Sequence, residues 1–341
     1  MKTKTVTLGL QGGGAHGAFT WGVLDRLLDD PRISFEAISG ASAGAMNAVA
    51  LAHGYTVGGR DGARQALKDF WQSVSSKASL NFMQGDANGL SQNGTLSTPL
   101  PSFVAALSMV KFFSPYQLNP FDINPLRDIL TSQIDFERLR SHCKIKLFIA
   151  TTRISSGTLK LFRNKKLSVE VLLASACLPS VHHAVDIDGE AFWDGGLTAN
   201  PPLFPLLHKC TARDVIVVLL QPHPRLETPT SAEHIAQRLT EMGFSSTFFT
   251  ELQGLALAKH EAERSYFAFG RLERRLRRLN MHMIESPDLM SQLGQHSKLN
   301  SQPAFINALF DAGKASADSW LETNFKNIGF TSSYNMSKLL N

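Results

Sequence analysis

The five residues Gly40-Ala41-Ser42-Ala43-Gly44 restrict what this chain can become more than any other stretch of it. They join the run 33–38, whose β-branched and aromatic residues suit a strand, to the run 45–52, which suits a helix expected to end at Gly54. So tight a strand-to-helix turn forces strained angles on the serine, and only tiny residues two before and two after leave it room. The elbow predicts a parallel α/β layer with Ser42 at the sheet edge, over a helix N-terminus whose free N–H groups favour developing negative charge. The plainer reading of Ser42, a helix N-cap, uses the same residues.

Ahead of the elbow, the run 5–10 reads as a first strand. It enters Gln11-Gly12-Gly13-Gly14-Ala15-His16-Gly17, after which Trp21, Leu24, Leu27 and Leu28 mark one face of a helix. A glycine loop between strand and helix is a cradle of backbone N–H groups, and two chemistries use one. Gly12, Gly14 and Gly17 satisfy the dinucleotide fingerprint G-x-G-x-x-G, which also wants an acid about 20 residues on. Glu36 is the candidate, but it lies inside the second strand, not at its end. The other chemistry is an oxyanion hole formed by the N–H groups of Gly12, Gly13, Gly14 and Ala43, aimed where an oxyanion forms when Ser42 attacks a carbonyl.

A second anchor lies downstream. The run 185–194 reads as a hairpin turning at Asp188-Gly189, and it delivers Asp194 followed by Gly195 and Gly196, which let the chain turn away from an uncovered carboxylate. Asp194 could take the serine proton directly. An Asx turn is the structural alternative. His223, after the buried strand 214–220, completes a Ser42-Asp194-His223 order typical of hydrolase triads, and stands as the runner-up mechanism.

At 341 residues and 43% hydrophobic, the chain can bury a large α/β core. A catalytic domain over 1–225, with a Ser/Asn/Gly/Pro-rich insertion or lid at 75–125, and a mainly helical extension over 226–341 are expected. Further helices are expected over 55–71, 124–139, 232–278 and 303–320, a strand hairpin over 144–162, and a disordered tail over 331–341. The net charge of +5 is spread out except at 271–279, so no nucleic-acid partner is indicated. In that stretch Leu272, Leu276 and Leu279 form a stripe among arginines, expected to pack on the core rather than lie on anionic lipid. Three widely spaced cysteines suggest neither a disulfide framework nor a metal site, and His182-His183 has no carboxylate at ligand spacing. No cofactor is expected. Without a signal peptide or a transmembrane-length run, a cytoplasmic protein is the default expectation.

Taken in order, Gly-Gly-Gly-Ala-His-Gly at 12–17, Gly-Ala-Ser-Ala-Gly at 40–44 and Asp-Gly-Gly at 194–196 resemble the bacterial patatin-like phospholipases, over about residues 5–220. The resemblance implies a three-layer α/β/α sandwich around a mainly parallel sheet, and lipid acyl hydrolysis without metal by a Ser42–Asp194 dyad. It implies an oxyanion loop over Gly12–Gly17, a lipid or ester substrate and transient membrane contact. The chain departs from the family at His16, where Arg or Lys is usual; a neutral histidine leaves that position without a fixed positive charge.

Overall fold

The computed structural model describes residues 3–78, 113–221, 228–265 and 270–340. β1 (Lys4–Leu10) and β2 (Ile33–Gly40) are parallel neighbours joined by α1 (Gly17–Asp29). β1 is buried from Val6 to Leu10, as expected of a strand covered on both faces. Beyond β2 lie β3 (Lys146–Arg153), parallel to it, and β4 (Leu159–Arg163), antiparallel to β3. On the other side of β1 stand β7 (Asp214–Val218) and β8 (Asn280–Ile284), both parallel.

The short hairpin β5 (Val185–Ile187) and β6 (Glu190–Asp194) completes the sheet. β4 pairs with β3 along residues that overlap both the β2 and the β6 contacts, so β2 and β6 share the opposite edge of β3. β2 leaves that edge after Gly40 opposite Ile149, and β6 takes it up with Asp194 opposite Thr151. This handover brings Asp194 beside the turn that follows β2.

Helices cover both faces, giving the expected three layers. One face carries α1, α2 (Ala43–Ala78), α3 (Val169–Ser175) and the long C-terminal helix, with Phe19, Leu24, Leu51 and Leu309 in its core. The other is packed by α4 (Ala232–Arg264) and the short helix Phe204–Lys209, around Leu206, Phe248, Leu252 and Met281. The first face ends in α6 (Pro303–Asn324), preceded in sequence by α5 (Arg271–Arg277).

Several expectations need correction. The helix after the elbow does not stop at Gly54; it runs on to a break at Gly58 and Gly59 and then continues. The helix expected over 124–139 is two, Pro125–Gln133 and Phe136–His142, because the Asp135 carboxylate caps a new start by accepting the Arg138 N–H at 2.9 Å. A strand, β8, stands within the extension expected to be mainly helical. The tail is ordered through residue 340: Ser333 bonds the buried His282 ring, and Tyr334 N–H donates to the Met281 carbonyl at 3.0 Å. Leu276 and Leu279 are buried as the stripe predicted, while Leu272 is 59% exposed. Residues 79–112 of the expected lid, and His223, lie outside the described residues.

Candidate active site

The elbow has the backbone its sequence demands. Ser42 sits at φ 52°, in the left-handed region a non-glycine residue rarely enters, and α2 begins at the next residue. A side chain at Gly40 would meet the Gly44 carbonyl at 2.7 Å, and one at Gly12 would meet the Ala41 oxygen at 2.6 Å. The first contact explains the small residues of the elbow. The second shows that the glycine loop and the elbow touch, as adjacent parallel strands require.

The Ser42 N–H is held by Ser175 of α3, through its carbonyl at 3.1 Å and its hydroxyl at 3.0 Å. Asp194 is fully buried. Its Oδ1 accepts the Gly196 N–H at 2.7 Å, the short Asx turn foreseen as its structural alternative, but Oδ2 has no hydrogen-bond partner among the described residues. Burial pushes the Asp194 carboxyl up to about 7; the Gly196 N–H, the nearby Ser42 hydroxyl and the positive charge of Lys298 oppose that shift without cancelling it. The Ser42 hydroxyl is thus close to the carboxylate. An acid whose ionisation falls near neutrality, with one oxygen unspent beside a strained serine, has the properties of a proton acceptor.

The glycine loop departs from expectation at one residue. The Gly12 N–H donates to Asn200 Oδ1 at 2.6 Å, so it is not available to an oxyanion. The N–H groups of Gly13, Gly14 and Ala43 have no partner among the described residues and remain as donors. Asn200 is a clamp: its amide also reaches the Gly12 carbonyl at 3.4 Å and the Phe244 carbonyl at 3.0 Å. Asn47 of α2 ties the other end of the loop, donating to the Gly17 carbonyl at 2.9 Å while accepting from Trp71 Nε1.

His16 is buried and neutral, its pKa lowered to about 3 by burial and by the charge of Lys298. The Ser297 hydroxyl donates to the Gly294 carbonyl at 2.6 Å, so its oxygen accepts the proton on His16 Nε2 at 2.7 Å. Nδ1 is then a buried lone pair without a partner among the described residues. At Gly14, φ +59°, a side chain would collide with the Lys298 carbonyl. The segment 294–300 therefore lies on the glycine loop, and it brings Lys298 to a loop that stands at the other end of the sequence.

Asn200, Ser297 and Lys298 are site neighbours that the sequence reading did not single out. Only Asn200, close behind Asp194 in the chain, carried a signal. Glu36, the acid weighed for the dinucleotide fingerprint, is spent at the opposite end of the sheet, accepting N–H groups of Thr211 and Ala212 and pairing with Lys146 Nζ at 2.9 Å. His183 stacks on Tyr116 and bonds the Pro115 carbonyl, a packing role.

Comparison with known proteins bears on this geometry. The model of the patatin-like phospholipase family matches residues 8–207. A cGAMP-activated phospholipase of Vibrio cholerae is 27% identical over 237 residues, covering 61% of this chain and 58% of that protein, so the chain spans less than two thirds of its length. Among solved structures, VipD of Legionella pneumophila aligns with 95% of this chain and 67% of its own at 15% identity and a TM-score of 0.44. The ExoU–SpcU complex of Pseudomonas aeruginosa aligns with 93% and 75% at 17% identity and a TM-score of 0.34. Matched over more than half its length by the family's model, with the glycine loop and the serine elbow inside the match, the chain belongs to the patatin-like phospholipases, a family of lipid ester hydrolases.

Proposed function

We propose that this protein is a lipid acyl hydrolase working through a Ser42–Asp194 dyad. The observation that carries this reading is the unspent, buried Asp194 Oδ2 beside a serine at positive φ. Asp194 takes the Ser42 proton as Oγ attacks the ester carbonyl, and the N–H groups of Gly13, Gly14 and Ala43 hold the oxyanion. Collapse expels the alcohol, which receives the proton from Asp194, and leaves an acyl-serine. Water, deprotonated by Asp194, then releases the fatty acid and restores Ser42.

Lys298 supplies the positive charge that the loop lacks at His16 and directs it at Asp194. Contact with a lipid surface is supported by exposed apolar side chains at the same pole. Tyr116, Leu118, Phe121 and Ile123 lie in the segment packed on His183, while Ile235, Leu239 and Met242 form a stripe on α4 leading up to Phe244, which abuts Gly196. We further read 1–225 as the catalytic unit and 226–341 as an extension that works as part of it, through Ser297 and Lys298. No helix among the described residues is long and apolar enough to cross a membrane.

A fluorophosphonate probe and a short-chain nitrophenyl ester test the dyad on folded wild type, Ser42→Ala, Asp194→Asn and His223→Ala. Labelling and turnover are expected to vanish for the first two variants and to survive in the third. An inactive, folded His223→Ala would replace the dyad by a triad.

A further inference from the structure

At the end of the sheet where β7 and β8 begin, Arg213, Arg271, Arg274, Arg275 and Arg278 line a half-open cavity of about 330 Å³, whose remaining walls are uncharged. The volume is within the range of small-molecule sites. Three other cations of the C-terminal region are paired with acids: Lys259 with Glu263 at 2.7 Å, Arg238 with Glu241 at 3.3 Å, and Arg277 with Glu273 at 3.8 Å. That last pair consumes the one acid of α5. Arg213, Arg271, Arg274 and Arg278 make no ion pair among the described residues.

Arg275 is the fixed member of the group. Its guanidinium donates to the carbonyls of Leu207 at 3.0 Å, Thr211 at 2.7 Å and Ala212 at 3.0 Å, so its charge is anchored in the wall by neutral acceptors. Glu36, the carboxylate that acts on Arg275, is already engaged by Thr211, Ala212 and Lys146. Arg271 stands near enough to disfavour the charge on Arg275, so the cluster is self-repelling as it stands. A multivalent anion would relieve that repulsion, and planar guanidinium forks suit phosphate oxygens in particular.

We propose that this cavity binds a soluble small molecule carrying two or more phosphate groups. A lipid head group offers the same chemistry, but the cavity opens where the strands begin and Ser42 stands where they end. A five-residue strand separates those poles by about 17 Å at roughly 3.3 Å per residue, so a bilayer held here would lie away from the elbow.

The test titrates the full chain with sodium tripolyphosphate in about 150 mM salt, where loose surface attraction is screened, using calorimetry. Saturable binding is expected, weakened at least tenfold in Arg274→Ala/Arg278→Ala and unchanged in Lys165→Ala/Lys166→Ala, an exposed basic pair elsewhere. Both double variants should keep wild-type melting temperatures and ester turnover, since both leave the elbow and the side-chain anchors of Arg275 in place. The proposal is overturned by the absence of saturable binding or by equal weakening in the two variants. It is also overturned if phosphatidylglycerol vesicles, or a short single-stranded oligonucleotide, bind through these arginines while tripolyphosphate does not.

Discussion

Two buried aspartates stand at opposite ends of the same sheet and are treated in opposite ways. Asp214, at the start of β7, gathers partners onto one oxygen: Asn280 Nδ2 and His282 Nε2 at 3.0 Å and the Gly329 N–H at 2.8 Å. His282 Nδ1 accepts the Ser333 N–H, which leaves its proton on Nε2, facing the carboxylate. Although burial works against it, these donors hold the Asp214 carboxyl below its ordinary range. Asp194, at the end of β6, has one backbone donor and an idle oxygen, and it titrates near 7. Burial alone therefore does not mark a functional acid; the count of donors given to it does.

Disabling each acid should sharpen that contrast, and the largest effect belongs to Asp194. Asp194→Asn is expected to lower ester turnover by about 10²–10⁴-fold, the worth of a positioned base, with the fold intact by circular dichroism. Asp214→Ala should do the reverse. It strands the buried Asn280 and His282 donors in the core, so chemical denaturation should show a loss of about 3–5 kcal/mol while turnover per folded molecule stays near wild type.

The two acids also carry opposite pH signatures. The folded-state pKa of Asp194 lies above its unfolded value of 3.8, so its contribution to stability is full below that value and is lost as pH rises through about 7. Wild-type melting temperature should thus fall between pH 5 and pH 8 relative to Asp194→Asn. Asp214, depressed in the folded state, contributes stability above its unfolded value and loses it as pH falls through the folded one. The smallest effect is electrostatic. Lys298→Met removes a charge that favours the ionised Asp194, so the acid limb of the pH–rate profile should move upward by a fraction of a unit, a shift that a purely structural role for Lys298 does not produce.

What the sequence made legible follows the range of the forces involved. The elbow, the Asp188-Gly189 hairpin and the strand over β1 are written in neighbouring residues, through steric room, turn chemistry and alternation, and they were readable at once. β8 was not, because Asn-Met-His-Met-Ile lacks the β-branched run that marks β7, and it becomes a strand only by docking on it. The break at Asp135 is legible in the sequence only as an N-cap residue inside an otherwise helical run. The clamp from Asn200 to Gly12, and the seat of 294–300 on the glycine loop, join residues 188 and 281 positions apart, and no local pattern reports such contacts. That distance is also why the Gly12 N–H was counted as an oxyanion donor when it is already bound.

The most direct test of the central claim is the rate of Ser42 labelling by a fluorophosphonate between pH 4 and pH 9. If Asp194 is the base, the rate should rise about tenfold per pH unit and level off near pH 7, with the rise absent in Asp194→Asn. A plateau already reached near pH 4, or the same limb retained in folded Asp194→Asn, would show that another group accepts the serine proton.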